Sequence, residues 1–192
     1  MLTREIHRKL VHVATVLVPL LAWVLPRVPA LVLLGVAVAV AMGVEWSRSR
    51  IRWVRYRFLR RTRTVLRPHE RHGVAGATYL ALAYFLAVLV FPRPIAVAAM
   101  LYAGLGDATA ALVGKRWGRH RARWGKSWEG AAAMLAVCAA VGLAIPGVPT
   151  VAAVAGGLTA AALEFLPLPL DDNLRVTLGG GVVAWLIAAL VA

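Results

Sequence analysis

Between Gly104 and Gly130 the chain reads GLGDATAALVGKRWGRHRARWGKSWEG, flanked by long apolar runs. An Asp, a Glu, a Gly-Lys-Ser triplet and a cluster of cations are the groups that handle a phosphorylated ligand and its divalent cation. The familiar phosphate loop is excluded. It needs G-x-x-x-x-G-K-[ST] behind a strand. Five residues before Gly125 stands His120, Gly118 is in the wrong register, and no apolar strand precedes it.

What remains is Lys126 and Ser127 just ahead of a helix whose first turn holds Glu129. Ser127 is an N-cap candidate, and a helix N-terminus attracts phosphate oxygens. Glu129 there also complements the helix dipole. Asp107 falls in the inner half of an apolar helix. A charged carboxylate in such a helix costs about 2.5–3.5 kcal/mol on insertion scales, so it calls for a partner or a function. The small residues around it, Gly104, Gly106, Ala108, Ala111, Gly114 and Gly118, suit tight helix packing and close approach of a ligand equally well.

These residues must be positioned by apolar elements. The 192-residue chain is 61% hydrophobic with mean hydropathy +0.75, beyond the usual range of a water-soluble domain, and has room for one domain, residues 1–192. A lone Cys138 builds neither a disulfide framework nor a zinc site. A spanning helix needs about 20 apolar residues. Candidate segments are 10–26, 28–46, 74–92, 94–114, 129–146, 148–166 and 174–192, punctuated by Pro26/Pro29, Pro92/Pro94 and Pro146/Pro149. The expected fold is an all-α polytopic integral membrane protein of about seven transmembrane helices. The first segment is read as a retained anchor, since Glu5 precedes it and no convincing cleavage site follows.

Charge sets the expected orientation. With the N-terminus in the cytoplasm, every Lys and Arg except Arg27 and Arg93 falls on a cytoplasmic segment. That bias predicts a cytoplasmic N-terminus and an outside C-terminus in the cell membrane. All of Glu5, Glu45, Glu70, Asp107, Glu129, Glu164, Asp171 and Asp172 fall on the same side or at inner ends of segments. A channel or transporter usually needs polar groups at mid-membrane and on both sides, so this asymmetry favours chemistry at the cytoplasmic surface. The net charge of +14 therefore reads as membrane topology rather than nucleic-acid binding. Its largest block, 47–72, has helical periodicity, with Ile51, Val54, Phe58, Leu59, Val65 and Leu66 on one arc. It is read as an interfacial helix on anionic membrane lipids.

GDATAALVGKRWG followed by GKSWEG resembles the signature of the CTP-dependent lipid-alcohol kinases: dolichol kinase, the phytol and farnesol kinases of plastids, and the yeast-type diacylglycerol kinase. Other pieces follow in family order: REIHRKLVH (Arg4–His12), EWSR (Glu45–Arg48), HGVAGATYL (His72–Leu80) and ALEFLPLPLDDNLRVTL (Ala162–Leu178). The resemblance implies phosphoryl transfer from CTP to a membrane lipid hydroxyl, with Mg2+, in the motif region 104–130. Motif by motif, it singles out Arg8, Lys9, Asp107, Gly114, Lys126, Ser127, Glu129 and Gly130. Asp107 and Glu129 are the first-choice metal ligands, with Glu45, Glu164 and Asp172 in reserve, and Arg8, Lys9 and Lys126 clamp phosphates. Asn173 orients the hydroxyl or the nucleotide, or else Asp171–Asn173 caps a helix. His12 shuttles the alcohol's proton or bonds a neighbouring helix. The tryptophans, including Trp124 and Trp128, form an aromatic belt, with stacking on a nucleobase as the other role. Two other classes stand beside this reading. A CDP-lipid-forming cytidylyltransferase would release pyrophosphate, but its Lys-Asp…Pro-Gly-His-Gly-Gly…Asp signature is missing. A non-enzymatic transporter or scaffold would turn over no nucleotide.

Overall fold

Prolines set many of the helix boundaries. Pro26, Pro92 and Pro149 each stand at an N-cap, where the N–H that proline lacks is not needed by the helix. A computed structural model of the chain describes residues 15–62, 66, 69–71 and 73–191. In chain order the described helices are α1 (Leu17–Val24), α2 (Arg27–Arg50), α3 (Arg52–Thr62) and α4 (Gly76–Val90). They continue with α5 (Arg93–Arg116), α6 (Trp128–Ala144), α7 (Thr150–Phe165) and α8 (Asp172–Val191). A short 3-10 turn, His69–Arg71, precedes α4. The described residues form no strand beyond one isolated bridge, Arg121 to Ser127.

Each apolar segment expected from the sequence coincides with a helix, the first over its described part only; Arg8, Lys9 and His12 lie outside the described residues. By length and composition α2, α5 and α8 are long and apolar enough to cross a membrane, while α4, α6 and α7 are shorter apolar helices. Burial ranks them: 67% of the apolar window of α5 is buried, against 11% for α2, so α5 is the central post and α2 a flank. Val28, Val32, Val36 and Val40 repeat along an exposed face of α2, an apolar stripe that hydrocarbon rather than water would solvate. Around α5 the core closes through Met100, Tyr102, Met134 and Cys138, all fully buried.

Small residues let the backbones approach. A Cβ added at Gly156 of α7 would stand 2.8 Å from Ala184 Cβ and 3.0 Å from Gly180 O of α8, the close-packed seam that membrane helices favour. Within α5, Tyr102–Gly106 widens into a single π turn, a local defect that tends to mark functional positions. Asp107 follows it directly.

The basic segment is helical over α3. Arg52, Trp53, Arg55, Tyr56, Arg57, Arg60 and Arg61 are exposed, and Val54, Phe58 and Leu59 are half-buried. Of the expected apolar arc, Leu66 is half-buried too, Ile51 is exposed and Val65 lies outside the described residues, while Arg48 lies over the Phe58 ring at 4.9 Å.

Candidate functional site

Three carboxylates from distant parts of the chain converge. Asp107 follows the π turn of α5, Glu164 lies in the last turn of α7, and Asp172 opens α8. One oxygen from each lies within 4.8 Å of the others. Like charges this close repel unless a cation or a proton compensates them. One cation is visible: Lys126 Nζ stands 2.6 Å from Glu164 Oε1 and also donates to the Glu164 main-chain carbonyl. The other oxygen, Glu164 Oε2, is buried without a hydrogen-bond partner among the described residues. A buried anionic oxygen left unmatched is costly unless a ligand satisfies it.

Lys126 reaches this position from a tight hairpin. Ala122 N donates to Lys126 O at 2.8 Å, Trp128 N to His120 O at 3.0 Å, and Gly125 N to Ala122 O at 2.9 Å. Gly125 adopts φ +88°, a left-handed conformation that side chains disfavour and that closes such hairpins. The Arg121 guanidinium braces the loop, donating to Gly125 O and Gly114 O at 3.0 Å each. Trp124 Nε1 donates to Phe165 O at 2.7 Å, and the Trp124 and Trp128 rings pack on Phe165 with centroids 5.4 and 4.4 Å away. The two indoles therefore pin the hairpin to α7.

Ser127 is the N-cap of α6, its Oγ accepting from Gly130 N at 3.1 Å. Gly114 and Gly130 let α5 and α6 touch: a Cβ at Gly114 would meet Ser127 Oγ at 2.6 Å, and one at Gly130 would meet Ala110 O at 2.6 Å. Both glycines also line the cavity described below.

The structure sorts the expected metal ligands differently from the sequence order. Glu129 is not in the group of three. Its Oε1 accepts from Arg119 N at 3.1 Å and His120 N at 3.0 Å and lies 2.7 Å from His120 Nδ1, while Oε2 is enclosed without a partner among the described residues. The amides at the start of the hairpin need an acceptor, and the first turn of α6 presents this one. Glu45 is committed elsewhere too. Its Oε1 accepts from Ala75 N at 2.9 Å and Thr78 Oγ1 at 3.1 Å, and Oε2 binds the Arg48 guanidinium. Asn173 ties helices together, Nδ2 donating to Gly76 O at 3.2 Å and to Asp171 Oδ1 at 3.0 Å. Asp171 Oδ1 also accepts from Asn173 N at 3.0 Å, the capping arrangement expected for Asp171–Asn173. The other two of the three reserves, Glu164 and Asp172, are the ones that meet Asp107.

A cavity of about 780 Å3 opens at the trio, within the range of small-molecule sites. Its walls come from one end of the bundle: the N-terminal ends of α4, α6 and α8 and the C-terminal ends of α5 and α7. Lys115, Arg121, Lys126 and Arg175 supply cations to it, and Tyr79, Phe165, Leu168 and Leu170 supply apolar surface. Sequence reasoning had not singled out Lys115, Arg121, Arg175 or Tyr79. Arg175 was findable, since it lies three residues after Asp172 on one helical face.

No family model matches the chain, and no solved structure matches it. The sequence is similar to the phytol kinase of Synechocystis sp., at 33% identity over 195 residues, covering 94% of this chain and 78% of that protein. It is also similar to an uncharacterized protein of Rickettsia prowazekii, 25% identical over 117 residues, covering 59% of this chain and 57% of that protein.

Proposed function

The chain belongs to the phytol kinase family of lipid-alcohol kinases, and from that premise we propose that it transfers the terminal phosphoryl group of CTP to a membrane lipid alcohol. The observation that carries the site assignment is the trio of Asp107, Glu164 and Asp172 with the unmatched Glu164 Oε2. Hard oxygen donors, one of them buried and without a partner among the described residues, fit Mg2+. When bound by Asp107, Glu164 and Asp172, Mg2+ would neutralise charge on the phosphate oxygens.

The residues of the chain supply the rest. Lys126 exchanges its bond to Glu164 for phosphate oxygens as the ligand enters, and the hairpin braced by Arg121 holds it in reach. Lys115 and Arg175 add positive potential to the same cavity. The N-termini of α6 and α8 aim their partial positive charge at the anion. The alcohol oxygen forms the new P–O bond as the bond from the terminal phosphorus to its bridging oxygen breaks, and CDP leaves. The alcohol's proton passes to a carboxylate of the trio or to His12.

The charged end is read as cytoplasmic on the bias of Lys and Arg along the chain, and the exposed arginines of α3 suit anionic headgroups. The substrate is read as an isoprenoid alcohol, the class that includes the phytol of the cyanobacterial relative's name. The test is incubation of the protein in nanodiscs with Mg2+, each labelled nucleoside triphosphate in turn and a panel of lipid alcohols and diacylglycerol. The expected products are a lipid monophosphate and free CDP, both abolished by EDTA. A CDP-lipid with pyrophosphate would replace this reading with a cytidylyltransferase, and no turnover across the panel would remove the enzymatic reading.

A further inference from the structure

One wall of the cavity is out of character with its surroundings. Between Phe165 and Asp171 the chain runs Leu166-Pro167-Leu168-Pro169-Leu170, at the most highly charged end of the bundle. Leu168, Pro169 and Leu170 line the cavity, yet Leu168 is 43% and Leu170 63% exposed. Aliphatic side chains beside an acidic trio are poor company for water and for a nucleotide.

Part of the strap's backbone is bonded within the protein although residues 166–170 are exposed. Leu166 N donates to Ala162 O at 3.0 Å and Leu168 N to Leu166 O at 3.0 Å, and Pro167 and Pro169 have no N–H to satisfy. Arg175 Nη1 takes the carbonyls of Leu166 at 3.1 Å and Leu168 at 3.2 Å. Loop backbone that meets hydrocarbon needs such bonding, since nothing in hydrocarbon can hydrogen-bond to it. The apolar sequence of the strap, the exposure of Leu168 and Leu170, their place in the wall beside the trio and the bonding of the Leu166 and Leu168 main chain together point to an apolar neighbour.

We propose that the Leu166–Leu170 strap is the seat of the lipid alcohol's hydrocarbon chain, with Leu168 and Leu170 gripping the segment next to the hydroxyl. The inference rests on the lipid-alcohol kinase reading and adds where the acceptor lies. Leu170 is followed directly by Asp171 and Asp172, so a chain lying along the strap brings its polar head to the trio. Arg175 acts as a positioning residue: it fixes the strap's carbonyls while standing in the cavity wall.

Two measurements test this, one of them independent of catalysis. First, wild-type protein in nanodiscs is photolabelled with a long isoprenoid alcohol carrying a diazirine on the unit next to its hydroxyl. Label should fall on the peptide containing residues 165–170 and be displaced by unlabelled alcohol. Unsaturable label spread over the exposed valines of α2, with none on the strap, would overturn the proposal. Second, the paired substitution Leu168→Ser and Leu170→Ser should raise KM for a long-chain alcohol by about tenfold or more, from lost apolar burial. The KM for CTP should rise far less than the KM for the alcohol. An unchanged KM for the alcohol would also overturn it. Displaceable labelling of the strap in a protein that phosphorylates nothing would sink the proposed reaction and leave the lipid seat standing.

Discussion

What a carboxylate does here depends on where its two oxygens point. Glu164 gives Oε1 to Lys126, keeps Oε2 buried and unmatched among the described residues, and brings one carboxylate oxygen within 4.8 Å of Asp107 and Asp172. Glu129 gives Oε1 to the amides of Arg119 and His120 and so closes the base of the hairpin. Both are glutamates next to a motif in sequence, and only geometry separates their work. Glu164→Gln removes the anion that meets Lys126 and the trio. We expect Mg2+-dependent turnover to drop by about a hundredfold or more, since electrostatic stabilisation dominates phosphoryl transfer. Glu129→Gln keeps an acceptor for the hairpin amides, so turnover should stay within about tenfold of wild type, far above that of Glu164→Gln. Equal collapse of the two variants, both folded by circular dichroism, would return Glu129 to the metal site. Asp107, Lys126 and Ser127 were legible at this scale because each type stands out in its setting. The promotion of Glu164 was not legible, because α7 offers nothing in sequence that marks its last turn as facing α5.

At the scale of elements, hydropathy and proline placement were enough to locate the helices. The boundaries at Pro26, Pro92 and Pro149 follow from the missing N–H of proline. Irregular pieces escaped. The π turn at Tyr102–Gly106 and the hairpin at Ala122–Gly125 exist through packing and hydrogen bonds to remote partners, such as Trp124 to Phe165. A third device joins α2, the 3-10 turn and α4. Arg48, 7% exposed, donates to Glu45, to Glu70 O at 3.1 Å and to Gly73 O. Glu45 and Glu70 in turn accept the amides of Ala75 and Gly76 at 2.9 and 3.0 Å. The N-cap and first helical donors of α4 are thereby satisfied by two acids from outside the helix. Arg48→Ala strands a half-buried carboxylate and two carbonyls and should cost about 3–5 kcal/mol of stability. Thermal unfolding in detergent reads this as a lowered midpoint; an unmoved midpoint would show that the clasp contributes little.

Over the whole molecule, polar chemistry gathers at one end. The trio, the cationic hairpin, the α4 clasp and the cavity all lie where α4, α6 and α8 begin and α5 and α7 end. That segregation was legible from the positions of the acids along the chain, because alternating helices send alternate ends to the same side. Which acids would touch was not, since it depends on how α5, α7 and α8 rotate against one another across glycine seams. The central claim is that Asp107, Glu164 and Asp172 jointly hold the Mg2+ needed for phosphoryl transfer. The most direct measurement is the Mg2+-titrated rate of lipid-alcohol phosphorylation from CTP by wild type and Asp107→Asn, with thermal unfolding followed on the same nanodisc preparations. Asn keeps the shape and removes the charge. The rate should fall by about a thousandfold, while the unfolding midpoint holds or rises as a costly carboxylate leaves the apolar bundle. A folded, nearly fully active Asp107→Asn protein would contradict the claim.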